Sequence, residues 1–70
     1  MQSLAEIRAG ESCTIKWMFG SPRVLDFLRK YEIKEGSLIY VLQRRKTDMI
    51  IGAGDLRFAI GNDVAERIKV

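Results

Sequence analysis

Apolar and polar residues alternate along this chain in short blocks, each long enough for one strand or one turn of helix. Ser3 to Glu6 reads S-x-x-E, the spacing at which a serine and a glutamate satisfy each other's backbone N–H groups at a helix start. It predicts a helical turn over Leu4 and Ile7, ended by Gly10. Ser12 to Phe19 is β-like; a regular strand there puts Ile15 and Trp17 on one face and Lys16 and Met18 on the other. Gly20 breaks that run. Ser21-Pro22 follows, a cap with proline at the first helical position, where its missing N–H costs nothing. Val24, Phe27, Leu28 and Tyr31 then recur at helical spacing, with Arg23, Asp26, Arg29 and Lys30 over the remainder. Ile33 precedes a turn at Lys34-Glu35-Gly36.

Leu38 to Leu42 is the strongest strand, and both of its faces are apolar: Leu38/Tyr40/Leu42 and Ile39/Val41. One face must enter the core. The other is either covered by the Val24–Tyr31 helix or left as a protein-binding or self-association patch. Gln43 to Asp48 reads as a polar hairpin, Met49 to Ile51 as a strand and Gly52-Ala53-Gly54 as a bend. Leu56 to Ile60 reads as a further strand. Gly61-Asn62-Asp63 caps one helical turn through Val64 to Arg67, and Ile68 to Val70 closes the chain as a strand. Five short strands, one helix of real length and one or two helical turns predict a mainly β, small, partly open barrel.

Seventy residues make one domain, 1–70, with a modest core. No apolar run approaches the length of a membrane-spanning helix, and the first ten residues lack the apolar stretch of a signal peptide. The single cysteine, Cys13, cannot form an internal disulfide, which fits a reducing, cytoplasmic setting. Beside a strand it reads as a small buried hydrophobe.

Composition also excludes chemistry. Without histidine there is no Ser–His or Cys–His pair and no imidazole metal ligand. Glu32 with Glu35, or Asp55 with Asp63, leave room for a weak carboxylate metal site or an acid/base pair, although such pairs usually prove to be solvated surface. Gly52-Ala53-Gly54 lacks the third glycine and the following helix of a phosphate cradle. The chain is therefore read as a non-enzyme with no cofactor and no dedicated metal site. Net charge is +3, with Arg44-Arg45-Lys46 as the densest basic cluster. Together with Trp17, Phe19 and Tyr40 that cluster supports an alternative, a small nucleic-acid-binding barrel, if they share one face.

Three segments in fixed order carry a resemblance. They are S-L-x-x-I-x-x-G-E (Ser3 to Glu11), V-L-D-F-L-R-K-Y-E-I-K-E-G (Val24 to Gly36) leading into Ile39-x-Val41, and F-A-I-G-N-D-V-A-E-R-I-K-V (Phe58 to Val70). In this order they resemble the FeoA family, small cytosolic proteins of bacterial ferrous-iron uptake. The resemblance implies an SH3-like barrel and an accessory role beside FeoB, the membrane transporter with a cytosolic GTP-binding domain. A related domain ends some iron- or manganese-dependent repressors; with no helix-turn-helix here, the standalone form fits better. The family's transition-metal-binding label finds no ligand set in this chain.

The expected function is a non-catalytic adaptor or regulator of ferrous-iron uptake. Its expected contact residues are Phe27, Tyr31 and Glu32 on the helix and its flank, and Leu38, Tyr40 and Leu42 on the outer strand face. Two departures bear on this. Tyr31-Glu32 stand where the family usually has Leu-Gly, so the helix ends differently or Glu32 is strained. Gly52 to Arg57 is shifted by about one residue, which a bulge absorbs. The core positions Ile15, Leu28, Ile33, Ile39, Val41, Ala59, Ile68 and Val70 are untouched by either.

Overall fold

The run from Ser12 to Phe19 cannot serve as one strand, because its two halves have different partners. In the computed structural model, which describes all 70 residues, β1 (Ser12–Thr14) pairs antiparallel with β3 (Leu38–Arg44). Strand β2 (Trp17–Met18) pairs antiparallel with the distant β6 (Ile68–Lys69). The exchange falls at Ile15 and Lys16, whose N–H groups donate to Ser37 O (3.0 Å) and Lys69 O (2.7 Å). This corner breaks the alternation of a regular strand. Ile15 and Met18 are buried and Trp17 faces outward, which corrects the grouping of Ile15 with Trp17. It also raises the strand count to six.

Strands β4 (Asp48–Ala53) and β5 (Leu56–Gly61) complete a four-stranded antiparallel sheet in the order β1-β3-β4-β5. The β2–β6 ribbon forms the second sheet, and Ser3 bridges to its Lys69. The chain is thus mainly β, a small barrel that stays partly open, as expected. Leu4, Ile15, Ile33, Ile39, Met49 and Ile51 fill its interior, each essentially without solvent exposure. Of the expected core, Ile15, Leu28, Ile33, Ile39, Val41 and Ile68 are buried. Ala59 is not: it pairs with Ile50 on the outer face, and Val70 is only half-buried.

Helix α1 (Pro22–Lys30) begins as its sequence dictates, with Ser21 Oγ accepting the Val24 N–H (3.3 Å) and Pro22 in the first turn. Its end follows from Glu32, whose φ of 63° is left-handed. The Glu32 N–H donates to Arg29 O and the Ile33 N–H to Leu28 O (both 3.0 Å), the paired bonds of a Schellman stop. Ser37 Oγ donates to Glu32 O (2.6 Å) and fixes the strained residue in place. A left-handed L-residue costs about 1–2 kcal/mol, and glycine avoids most of this at some entropic expense. Glu32→Gly is therefore expected to raise stability by about 0.5–1 kcal/mol, which is about 3–6 °C in Tm for a domain this size. Thermal unfolding followed by circular dichroism checks it. A fall in Tm would mean that the exposed Glu32–Lys34 ion pair (3.0 Å) outweighs the strain.

The turn between β4 and β5 is narrower than expected. Gly52 and Ala53 belong to β4, and the chain reverses at Gly54 (φ 60°) and Asp55. A glycine bend at Gly52-Ala53-Gly54 is thereby corrected, since only Gly54 needs the left-handed conformation. The irregularity in register lies in β3, between Val41 and Gln43, and not in the Gly52–Arg57 segment. The helical turn after β5, α2 (Asn62–Ala65), starts two residues earlier than its sequence suggested.

Candidate protein-docking face

Alternation along β3 separates its two apolar faces cleanly. Ile39 and Val41 point into the core, while Leu38 and Tyr40 are each 48% exposed and Leu42 is 43% exposed. Helix α1 does not cover this second face. It lies instead toward β5, where Phe27, Tyr31 and Phe58 form a chain of edge-on rings with centroids 5.1 Å apart at each step. The question left open by the sequence is thus answered by exposure: the outer face of the strand is bare.

The neighbouring strand deepens the face. Gly52 sits opposite Tyr40 in the register. A Cβ built there would lie 3.5 Å from a Leu42 methyl and 3.7 Å from the Tyr40 Cβ, so Tyr40 and Leu42 settle over the buried Gly52 backbone. Beyond Leu38 and Tyr40 the surface falls into an open groove of about 730 Å³. Tyr31, Glu32, Gly54, Asp55 and Leu56 line it with them. Four of the expected contact residues, Tyr31, Glu32, Leu38 and Tyr40, therefore meet at one groove.

The remaining two stand apart from it. Leu42 lies farther along the same strand face, and Phe27 lines a separate apolar groove between α1 and β5, with Val24, Ile60 and Val64. Leu56, 49% exposed at the Tyr31–Tyr40 groove, carried no expected contact role. Its signal was a large apolar residue directly after the Gly-Asp turn.

The basic cluster is committed locally. Arg45 grips Asp48 through two hydrogen bonds of 2.6 Å, Nε to Oδ1 and an Nη to Oδ2. Arg44 reaches toward Ile7 O (3.5 Å), and Lys46 O accepts a hydrogen bond from Asn62. The aromatic pair Trp17 and Phe19 lies on β2 and just beyond it, and Tyr40 lies in the other sheet, so no shared stacking face assembles around Arg44, Arg45 and Lys46.

The hydrogen bond from Arg45 holds the Asp48 carboxyl below the usual carboxylate range. A carboxyl lowered in the folded state adds stability above its unfolded pKa and loses it as pH falls through the folded value. The unfolding midpoints of the parent and Asp48→Asn should therefore differ most at neutral pH and converge only as the pH falls below the lowered carboxyl value in the folded state. A constant gap across that range would remove the ion pair as its cause.

Acidic residues do not converge. Glu32 pairs with Lys34 (3.0 Å) and Glu35 with Arg29 (3.5 Å), and no three Cys, Asp or Glu side chains come together. These residues do not fit a resident metal centre. Cys13 sits half-buried on β1 against the core, and burial pushes its thiol pKa up, which disfavours the reactive thiolate.

The model of the FeoA domain matches residues 2–70. The chain belongs to the FeoA domain family. An iron uptake regulatory protein, FeoA, is 28% identical, with a TM-score of 0.85 over 94% of this chain and 89% of that one. The zinc complex of Stenotrophomonas maltophilia FeoA is 16% identical, with a TM-score of 0.85 over 97% of this chain and 87% of that one. It is described as a prokaryotic SH3-domain protein and a suggested ferrous-iron transport activating factor. A manganese-dependent transcriptional repressor, 21% identical, has a TM-score of 0.86 over 96% of this chain but only 39% of its own. At their identities the last two establish the fold, which is SH3-like. No curated protein sequence matches significantly. The FeoA family is associated with ferrous-iron transport as an accessory component, and no helix of this member is long and apolar enough to cross a membrane.

Proposed function

We propose that this FeoA-family chain is a non-catalytic adaptor that docks on the cytosolic part of a FeoB-type ferrous-iron transporter and modulates it. The observation that carries the reading is the bare outer face of β3, with Tyr40 between Leu38 and Leu42 and the Tyr31–Leu56 groove at its end. Large exposed aromatic and aliphatic groups gathered on one face are costly unless a partner covers them. Aromatics in such patches are the usual energetic anchors of an interface. In this reading the protein works in the cytoplasm and is not inserted in the membrane.

Titrating the protein into the transporter's cytosolic GTP-binding domain by calorimetry tests it. Saturable binding at one-to-one stoichiometry is the expected result. Silence with that domain, and equally with the intact transporter at high protein concentration, would sink the proposal. Self-association through the same face would appear as a concentration-dependent mass in sedimentation, without any need for the transporter.

A further inference from the structure

The β2–β6 ribbon carries a second exposed feature that the docking face does not use. Trp17 and Lys69 are directly paired across the ribbon, and the Phe19 N–H donates to Arg67 O (3.1 Å), so each aromatic on one strand faces a cation on the other. The two rings pack at 5.0 Å between centroids, and Lys69 Nζ lies 5.6 Å from the centre of the Phe19 ring. Trp17 is 43% and Phe19 42% exposed, and the Trp17 indole N–H points at the exposed Met1 sulfur (2.8 Å).

The side-chain charges on the ribbon itself are of one sign. The ribbon segments 16–20 and 67–70 hold Lys16, Arg67 and Lys69 and no acid. None of the three forms a salt bridge, whereas Arg29, Lys34 and Arg45 elsewhere in the chain are paired. Glu6 and Glu66 line the adjoining hollow together with Arg44. Glu6 is occupied by the Ser3 N–H (2.8 Å), and neither acid reaches salt-bridge distance of Lys69.

We propose that this edge rests on an anionic lipid bilayer surface, with Trp17 and Phe19 entering the headgroup region and Lys16, Arg67 and Lys69 meeting the lipid phosphates. Tryptophan suits that depth because its ring is apolar and its N–H polar. Basic residues beside an inserted apolar edge supply the electrostatic half of peripheral attachment. Single-stranded nucleic acid is the competing occupant. It needs open ring faces for base stacking, whereas here the two rings lie against each other and Lys69 sits over Phe19.

The chain's only tryptophan is in the patch, so its emission reports contact directly. Tag-free protein is mixed with vesicles of phosphatidylcholine alone, or of phosphatidylcholine with phosphatidylglycerol, with no transporter present. The outcome is thus separate from that of the docking proposal. The anionic vesicles should sediment the protein, shift Trp17 emission to the blue and allow quenching by brominated acyl chains. Each surface cation contributes about fivefold to such binding, so Arg67→Gln with Lys69→Gln should weaken it about 25-fold while circular dichroism stays unchanged. Phe19→Ala, which keeps every charge, should weaken it as well. Silence with anionic vesicles, equal binding to neutral ones, or tighter binding of an oligothymidylate to the same edge would each overturn the proposal.

Discussion

Ile51→Ala is expected to lower the unfolding free energy by about 3–4 kcal/mol, within the usual range for truncating a fully buried isoleucine. Ile51 has no solvent exposure and lies in β4, the second of the two inner strands, between Val41 and Phe58 in the register. Strands on both sides and the core beneath hold its surroundings in place, so the cavity left by truncation cannot easily collapse. A domain of this length has about 4–10 kcal/mol in total, so this one change removes a third to nearly all of it. The midpoint of thermal unfolding should fall by about 15 °C or more. Ile50, one residue earlier, points to the outer face opposite Ala59 and is half-buried. Ile50→Ala should cost less than half as much. Equal losses in the two variants would mean that the outer face is already packed in solution, and the docking reading would lose its footing.

Tyr40→Ala should separate binding from folding in the opposite sense. The ring is 48% exposed on a strand whose buried residues are Ile39 and Val41, so its removal leaves the core intact. The expected shift in Tm is a few degrees. Central aromatic anchors commonly cost 2 kcal/mol or more when truncated, so affinity for the transporter's cytosolic domain should fall about 30-fold or more. Calorimetry on both proteins gives the ratio, and circular dichroism shows that the variant is folded. Undiminished affinity would move the interface away from β3.

Local chemistry was legible in the chain wherever the signal and its effect lie within a few residues. Ser21-Pro22 started a helix, Glu32 in a glycine position ended it under strain, and the doubly apolar Leu38–Leu42 became the strand with one bare face. What escaped depends on partners far away in sequence. Trp17 and Met18 exchanged inside for outside because β6, about fifty residues later, takes over the pairing at Lys16. Ala59 turned outward because its register with Ile50 is set across a hairpin, and a continuous apolar run carries no sign of which face is inner.

The site divides in the same way. Leu38, Tyr40 and Leu42 share a face by alternation alone, which a sequence displays. That Tyr31 and Glu32 from a helix end share a groove with Leu56 is a tertiary fact. Phe27, one helical turn before Tyr31, falls outside that groove because the helix turns it toward β5.

The hydrogen bond from the Val70 N–H to Gln2 O (2.9 Å), beside the Ser3–Lys69 bridge, has an architectural consequence. The first and last paired residues of the unit are neighbours, so the polypeptide describes an almost closed circuit. A unit built this way hangs from any longer polypeptide at a single attachment point. Both connections leave by the ribbon edge, beside the hollow that Met1 and Lys69 share with Arg44 of β3. About 39% of a manganese-dependent repressor chain matches this fold, so a unit of this kind is also carried within a longer polypeptide.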